Sequence, residues 1–298
     1  EVWYNSTSNS LKYFYVNPGS WATGGALNTA KYYAASAGTQ TAALSAGGRI
    51  PTYSALTELY NGTNWTEVND LTTAKAELGG AGTQTAALVF GGTDGVGYLA
   101  ETETWNGTNW AEVNDLNTAR SRVGSAGTQT AALAFGGLSG PSAVTESWNG
   151  TNWTEVNDLN TARWDPAGTG TQTSALGFGG SPPPGPGLAV TELWNGTNWT
   201  EVNDLNNSRT NLASAGVDNT SALAFGGTAG GVTAVTETWN GTNWTEVGDL
   251  NTARQNLAGA GTNTAALGFG GGNPLISSES VATEEWNVGP ATVTITTT

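Results

Sequence analysis

The chain has 298 residues, a formal net charge of -15 at pH 7, and neither cysteine nor histidine. The lack of cysteine excludes disulfides and thiolate metal sites. The negative charge argues against nucleic acid and anionic membrane surfaces as partners, and no apolar stretch predicts membrane insertion.

The N-terminal residues predict a small β extension. Val2 to Asn5 and Leu11 to Val16 supply at most a hairpin, and Ser20 to Thr23 is typical of a strand that lacks a blade of its own. From residue 21 onward, six near-copies of one unit of about 45 residues fill most of the chain. A repeat of this period, with glycine pairs and a tryptophan after a tight turn, is typical of a propeller blade.

Two landmarks define the repeated unit. A glycine pair closes a short apolar run in each copy, at Gly47-Gly48, Gly91-Gly92, Gly136-Gly137, Gly179-Gly180, Gly226-Gly227 and Gly270-Gly271. A tryptophan anchor precedes a base by ten residues in each copy, at Trp21 and Lys31, Trp65 and Lys75, Trp110 and Arg120, Trp153 and Arg163, Trp199 and Arg209, and Trp244 and Arg254.

The third copy shows the predicted order of strands. Thr128-Gln129-Thr130 is a polar turn, and Asn149-Gly150 is a strong two-residue hairpin signal. Small residues fill the first two strands and aromatic residues the last two, which fits a sheet that narrows toward a central channel. Four antiparallel strands are predicted at Val123 to Gly127, Ala131 to Phe135, Ala143 to Trp148 and from Trp153 onward.

The last copy is one strand short, because Val288-Gly289-Pro290 follows Trp286 where another Trp-led strand is due. The strand around Trp21 is expected to complete this blade and close the ring, which removes exposed sheet edges. We expect one all-β domain, residues 1–298, with four antiparallel strands per blade. Its parts are an extension at 1–20, a six-bladed propeller at 21–289 and a tail at 290–298 that either adds an outer strand or leads away.

These residues resemble the kelch repeat of galactose-oxidase-like propellers, in which a strand ends in Gly-Gly and an aromatic residue, a Trp and an Arg follow. Ala134 to Gly137, Trp148, Trp153 and Arg163 match this pattern in order, and the resemblance covers residues 21–287. The recurring Trp-Asn-Gly-Thr-Asn-Trp and Thr-Gln-Thr-Ala-Ala-Leu segments are similar to kelch-like repeats in virion or tail proteins of tailed bacteriophages. The resemblance implies a location in the virion or outside the cell.

The side chains argue against an enzyme. Copper oxidases with kelch repeats need His ligands and a Cys-modified Tyr, and the Asp-box turns usual in sialidases do not occur. Most carboxylates are copied in every unit, as structural residues are, so the paired acids of a glycosidase are not indicated. We expect no catalytic residue, no cofactor and no metal, and keep a glycan-processing hydrolase as a weaker alternative.

Five of the six copied bases follow a copied Asp by five residues, as Arg163 follows Asp158. One interpretation is a ring of bases that binds an anion at the channel. The other is a set of Asp–base contacts that tie the loops between blades, and the copying of both signs in register favours it. Calcium binding at Asn69-Asp70 and its copies is less favoured, because the spacing matches no calcium loop.

Two zones differ between the copies: the residue pair after each base, and the loop after each glycine pair. In an antiparallel blade both lie at one end, so they are expected to share a face, with the Thr-Gln-Thr and Asn-Gly turns on the opposite face. The variable pairs Tyr32-Tyr33 and Trp164-Asp165 are expected to lie in adjacent variable zones at the mouth of the channel. Candidate ligand-binding residues are Tyr32, Tyr33, Glu77, Arg122, Trp164, Asp165, Asn211 and Asn256 at the channel mouth, with Tyr53 and Tyr98 in the loops.

Exposed aromatic side chains beside Asp, Asn and Arg suit the recognition of saccharides or protein surfaces. We therefore expect a non-enzymatic virion-surface or tail-associated propeller whose partner is a host-surface glycan, a host protein or another virion protein. A purely structural decoration or assembly role is the alternative.

Overall fold

The structure, a computed structural model, describes residues 2–5, 10–16, 18–140, 142–182, 185–274 and 279–295. These residues form 29 strands, arranged in six four-stranded antiparallel sheets, one three-stranded sheet and a two-stranded hairpin. Each four-stranded sheet is one blade of a β-propeller, so the predicted all-β, six-bladed fold is confirmed. Within these ranges, no helix has the length and hydropathy needed to cross a membrane.

The strands are numbered in chain order. Those before the first blade are β1 (Val2–Asn5), β2 (Ser10–Val16) and β3 (Ser20–Thr23). Blade 1 contains β4 (Ala35–Thr39), β5 (Ala42–Ala46), β8 (Thr57–Tyr60) and β9 (Trp65–Glu67), and its loop holds the hairpin of β6 (Arg49–Ile50) and β7 (Thr52–Tyr53). Blade 2 contains β10 (Gly79–Thr83), β11 (Ala86–Phe90), β12 (Thr102–Trp105) and β13 (Trp110–Val113).

The later blades repeat this order. Blade 3 contains β14 (Gly124–Thr128), β15 (Ala131–Phe135), β16 (Thr145–Trp148) and β17 (Trp153–Val156). Blade 4 contains β18 (Ala167–Thr171), β19 (Ser174–Phe178), β20 (Thr191–Trp194) and β21 (Trp199–Val202). Blade 5 contains β22 (Ala213–Asp218), β23 (Ser221–Phe225), β24 (Thr236–Trp239) and β25 (Trp244–Glu246). Blade 6 contains β26 (Ala258–Gly261), β27 (Ala265–Phe269) and β28 (Thr283–Asn287), and β29 (Pro290–Ile295) follows it.

Two strand starts in blade 3 differ from the prediction. The first strand begins at Gly124 instead of Val123, because Arg122 has a positive φ of 55° and turns the chain just before it. The third strand begins at Thr145 instead of Ala143. The carbonyl of Val144 accepts two hydrogen bonds just outside the strand, one from Nη1 of Arg120 at 2.6 Å and one from the N–H of Gly136 at 3.1 Å.

The N-terminal strand β3 completes blade 6, as predicted. It pairs antiparallel with β28, and Trp21 lies opposite Trp286. The predicted hairpin of β1 and β2 is also present, and the C-terminal strand β29 pairs with β2 to give a separate three-stranded sheet in the order β1-β2-β29. The first and last described segments, Val2–Asn5 and Pro290–Ile295, therefore belong to one sheet.

Neighbouring blades are joined by the tryptophan anchors. In every blade the indole N–H of the anchor donates to a threonine hydroxyl at the start of the third strand of the preceding blade, at 3.0 to 3.1 Å. Trp153 bonds to Thr102 in this way and also packs on Phe90, with ring centroids 4.8 Å apart. Six apolar clusters, one at each seam between blades, form the core. The tryptophans are thus structural, as predicted.

The glycine pairs form a second set of bonds between blades. Gly137 has a φ of 105°, and its N–H donates to the carbonyl of Arg163 in the next blade at 2.9 Å. A Cβ at Gly136 would lie 2.8 Å from the same carbonyl oxygen, so a larger residue would push the blades apart. The equivalent bond to the carbonyl of a copied base occurs at all six seams.

The copied bases are buried, and their partner is not the one expected. Each base pairs with a glutamate in the third strand of its own blade at 2.7 to 3.3 Å, as Arg163 pairs with Glu192. The predicted Asp–base contact is wrong, because the copied aspartates cap strands: Asp158 accepts the N–H of Thr145 at 3.1 Å. The anion-ring interpretation also fails, since these bases lie inside the blades with their charge compensated. Burial nevertheless lowers the pKa of Arg163 and Lys31.

The glutamates satisfy a second set of donors. In blade 4, Oε2 of Glu192 accepts the backbone N–H of Asn160 at 2.7 Å and its side-chain amide at 2.8 Å. The same amide donates to the carbonyl of Trp199 at 3.0 Å. In five of the six blades an asparagine at this position links the base, the third strand and the tryptophan anchor in this way, and blade 2 has Thr72 instead. Such networks are the condition under which buried charges are tolerated.

The first strands alternate between serine and glycine around the ring. Ser36, Ser125 and Ser214 belong to the odd blades, and Gly80, Gly168 and Gly259 belong to the even blades. Each serine hydroxyl donates to the carbonyl of the glycine in the preceding blade, at 2.7 to 2.9 Å. A Cβ at each of these glycines would lie 2.3 to 2.5 Å from the carbonyl oxygen of the preceding serine. Each serine strand therefore packs between two glycine strands, and the contacts repeat every two blades.

Deleting residues 1–24 should open the ring, because blade 6 then loses β3 and the bond from Trp21 to Thr236. We expect a lower melting temperature and a less cooperative thermal transition by circular dichroism. The control is deletion of residues 1–17, which leaves β3 in place. Melting of the longer deletion together with its control would contradict closure by β3.

The variant R163M should lower the free energy of unfolding by about 3 to 5 kcal/mol, because Glu192 is left buried without its counter-charge. The variant R163K should cost much less, since Lys31 and Lys75 fill the same position in blades 1 and 2. Chemical denaturation measures both values. Equal losses in the two variants would show that shape, and not charge, is required at this position.

Candidate binding face at the channel mouth

Both variable zones lie on one face of the ring. The first residue of each variable pair forms a β-bridge with the residue that follows the glycine pair of a blade, and Trp164 and Ser181 exchange two backbone hydrogen bonds of 3.0 and 2.9 Å. At the other end, a Cβ at Gly150 would lie 3.3 Å from the carbonyl of Thr130, so the Asn-Gly and Thr-Gln-Thr turns adjoin. The loops that differ are thus separated from the turns that are copied.

Six of the predicted site residues form a ring at the channel mouth. All six have a left-handed backbone, with φ between 50° and 63°. They occupy the same position in successive blades, namely Tyr33, Glu77, Arg122, Asp165, Asn211 and Asn256, and together they line a cavity of about 120 Å³.

The left-handed backbone produces hydrogen bonds from blade to blade. The N–H of Glu77 donates to the carbonyl of Tyr33 at 3.0 Å, and the N–H of Arg122 donates to the carbonyl of Glu77 at 2.8 Å. Five of the six neighbouring pairs are joined in this way. Asparagine tolerates this conformation best among residues with a side chain, and blades 5 and 6 have it. Tyrosine, glutamate and arginine are unfavourable here, so blades 1 to 3 keep them against a conformational cost.

Arg122 joins both acids of the mouth. Its Nε lies 2.9 Å from Glu77, its Nη1 lies 3.1 Å from Asp165, and its guanidinium carbon stands 4.9 Å from the centroid of the Tyr33 ring. Arg122 keeps about a quarter of its side chain exposed, at 24%. The mouth therefore presents a charged and aromatic cluster that is partly open to solvent.

The pKa values of this cluster reflect its burial. Burial raises the pKa of Asp165 to about 6 against the opposing attraction of Arg122. Burial and the charge of Asp165 raise the pKa of the Tyr33 hydroxyl, so it stays protonated at neutral pH. Burial opposes the charge of Arg122, but Asp165 and Glu77 outweigh it and raise the pKa of the guanidinium. The charge of Asp165 therefore changes near neutral pH.

Below the mouth, an apolar collar separates the cavity from the central channel. The two spaces share the side chains of Val123, Pro166, Leu212 and Leu257 in their walls. The channel measures about 220 Å³ and is lined by the small residues of the first strands, as predicted. The mouth cavity holds roughly four waters at about 30 Å³ each, so it accommodates a single chemical group and not a whole drug-sized ligand.

The two aromatic pairs are not in adjacent zones, contrary to the prediction. Tyr33 belongs to blade 1 and Asp165 to blade 4, which stand on opposite sides of a ring of six. Arg122 spans the mouth between them, because the ring is narrow at this level. Tyr32 lies beside Tyr33, with ring centroids 5.3 Å apart, and Trp164 is half-buried in its own blade.

The loops of blades 1 and 2 extend this cluster outward. Arg49 exchanges backbone hydrogen bonds with Tyr32, and its guanidinium lies 4.6 Å from the centroid of the Tyr53 ring and donates to the Tyr53 hydroxyl at 2.8 Å. A Cβ at Gly95 would lie 2.4 Å from Tyr53, so the blade 2 loop touches this tyrosine. The same loop carries Tyr98, which is 46% exposed.

Arg49 was not among the predicted site residues. A signal for it was present, because six of the nine lysines and arginines are the copied bases. The others are Lys12, Arg49 and Arg122. Both arginines outside the repeat pattern lie on the variable face, and each stacks on a tyrosine. Counting the cations that do not belong to the repeat would have found this residue.

The residues proposed for calcium have other partners. Asp70 accepts the N–H of Thr57 at 3.1 Å, and the amide of Asn69 donates to Asn109 in the next blade at 2.8 Å. In the described part of the chain, no three His, Cys, Asp or Glu side chains are grouped so as to hold a metal ion. These side chains therefore act as strand caps and as links between blades.

No protein-family model matches the chain, and no curated protein is significantly similar to it. The six-bladed propeller thus stands on the structure itself, while the likeness to kelch repeats rests on the residues quoted above.

The variant D165N should gain stability relative to the wild type as the pH rises from about 4 to about 7. The wild-type carboxyl has a folded-state pKa of about 6 against an ordinary value of 3.8, so the folded protein binds more protons within this window. The stability of the wild type therefore falls as the pH rises. The amide of the variant does not titrate, so the variant lacks this fall. The difference in melting temperature between variant and wild type measures the effect, and a difference that stays constant would contradict the raised pKa.

Proposed function

We propose that this protein is a non-enzymatic binding module that recognises a host-surface glycan or protein through the variable face. The supporting observation is the ring at the mouth. Three successive blades keep Tyr33, Glu77 and Arg122 in a left-handed backbone where Asn211 and Asn256 show that asparagine suffices. Strain that persists where the fold does not need it is typical of functional positions.

The chemistry of the face fits recognition more than catalysis. The two acids of the mouth, Glu77 and Asp165, are both bound by Arg122 and so are not arranged as a free acid and base. Tyrosine and tryptophan supply large contact areas with few rotatable bonds, and arginine is enriched at binding hot spots. The absence of catalysis remains part of this proposal.

Membership of the kelch repeats and a place on the virion or tail of a bacteriophage belong to the same proposal. Their support is the repeat pattern, in which Phe135, Gly136, Trp148 and Arg163 occupy the kelch order, together with the six-bladed fold. A rigid ring with short copied turns on one side and diverse loops on the other is a suitable scaffold for a surface-exposed receptor-binding part.

A structural role is the second candidate, and Arg122 favours it. By joining Glu77 and Asp165 across the mouth, it ties three blades together with its side chain alone. If this is its purpose, the cluster stabilises the ring and no ligand is required. Replacement of the aromatic residues distinguishes the two roles.

The double variant Y33N/W164T replaces both aromatic residues by those of blade 5, Asn211 and Thr210, which the same backbone positions already accept. On an array of neutral and carboxylated glycans, we expect binding to weaken by about 2 kcal/mol, roughly 30-fold, with a melting temperature close to that of the wild type.

The variant T154A, on an exposed outer strand of blade 3, serves as the control. Unchanged binding in the double variant would contradict recognition at the mouth. A large loss of melting temperature without any wild-type binding to the array would favour the structural role.

A further inference from the structure

Within the described part of the chain, Arg49 differs from the copied bases and from Arg122 in lacking a counter-charge. The copied bases are paired with glutamates, and Arg122 is paired with two acids. Among the residues that the structure describes, Arg49 has no ion-pair partner, and its Nε is buried without an acceptor. Its side chain makes one hydrogen bond, to the Tyr53 hydroxyl. A guanidinium carries five donors, so most of its hydrogen-bonding capacity is unused.

The surroundings hold this guanidinium in place. The Tyr53 ring lies under it at 4.6 Å, and the backbone of Arg49 is bonded to that of Tyr32 in both directions, at 2.9 and 3.3 Å. The short hairpin of β6 and β7 places Arg49 opposite Tyr53 in register. Such preorganisation reduces the entropy that a flexible side chain loses when it binds a ligand. Tyr53 is therefore a positioning residue for the charge.

An unpaired, fixed guanidinium is complementary to a carboxylate, which it can bind through two parallel hydrogen bonds. Further tyrosines belong to the same region: Tyr32, bonded to Arg49 through the backbone, packs on Tyr33, and the exposed Tyr98 lies on the loop whose Gly95 touches Tyr53. Tyrosine faces and hydroxyls suit the C–H faces and hydroxyls of a sugar ring. The sector between the mouth and the outer loops of blades 1 and 2 thus combines a cation for a carboxylate with tyrosines for a sugar ring.

We infer that this sector binds a carboxylated sugar, with Arg49 holding the carboxylate and Tyr32 and Tyr98 contacting the sugar rings. The inference rests on the proposed glycan-binding function and adds the chemical class of the ligand. The net charge of -15 opposes an anionic ligand at long range. Salt screens that repulsion beyond about 8 Å at physiological ionic strength, whereas the contact with Arg49 is local.

The experiment uses the full chain on an array of carboxylated and neutral glycans, followed by calorimetric titration of the strongest carboxylated hit and its methyl ester. The ester keeps the sugar rings and removes only the charge. Four proteins are compared: the wild type, R49Q, R49K and the control T154A. We expect carboxylated hits, and an affinity about ten- to a hundredfold lower for the ester and for R49Q, as the loss of a charged hydrogen bond requires.

The variant R49K keeps the charge without the planar fork, so it should fall between R49Q and the wild type, and T154A should match the wild type. Binding of neutral glycans that R49Q leaves unchanged would overturn the role of Arg49 while the proposed glycan-binding function survives. An array without any bound glycan would overturn both. Competition by peptides with a free carboxylate, and not by sugars, would assign the site to a protein ligand and contradict the sugar class.

Discussion

The hydrogen bond from each tryptophan anchor to a threonine of the preceding blade is the interaction on which this ring depends. The indole belongs to the last strand of one sheet, and its N–H reaches a buried hydroxyl of another, as Trp244 reaches Thr191. Because the bond recurs at every seam, each blade is fixed relative to its neighbour by the same contact. The closing seams follow the same rule: Trp21 bonds to Thr236, and Trp65 bonds to Thr283. A chain without cysteine thus closes its ring with these side-chain bonds, the pairing of β3 with β28 and the backbone bonds of the glycine pairs.

The bases that are copied in every repeat and the arginines outside the repeat pattern lie in different environments. Arg209 and its equivalents lie wholly inside a blade beside a glutamate, which compensates their charge. Arg122 lies at the surface of the mouth and joins carboxylates from two other blades. Among the described residues, Arg49 has no acidic ion-pair partner. The repeat therefore accounts for the buried cations, and the two arginines of the variable face are departures from it.

Much of the fold could be predicted because its determinants are copied. The glycine pairs, the Asn-Gly turns and the missing strand after Trp286 sufficed for the blade number and the closure. The partner of the bases could not be predicted, because both a glutamate and an aspartate are copied in register with five of the six bases. Burial decides between them: Glu192 lies within the sheet, whereas Asp158 lies at its end and caps a strand.

The mouth was predicted in part. Variation between copies identified the ring residues, since it reports where packing does not constrain the side chain. It could not show that Tyr33 and Asp165 face each other across the opening, because the width of the ring depends on how closely six first strands pack. That width follows from residues such as Gly80 and Gly168, whose missing side chains let the strands approach.

The alternation of serine and glycine has a consequence for the number of blades. A serine strand requires a glycine strand after it, since a Cβ at Gly168 would lie 2.5 Å from the carbonyl oxygen of Ser125. It also finds its acceptor on a glycine strand before it, as Ser214 does on Gly168. A ring with an odd number of blades would place two like strands side by side: two serine strands would clash, and two glycine strands would leave one seam without the serine hydrogen bond. The packing around the axis therefore has threefold pseudosymmetry, and a gain or loss of sequence that respects it proceeds two blades at a time.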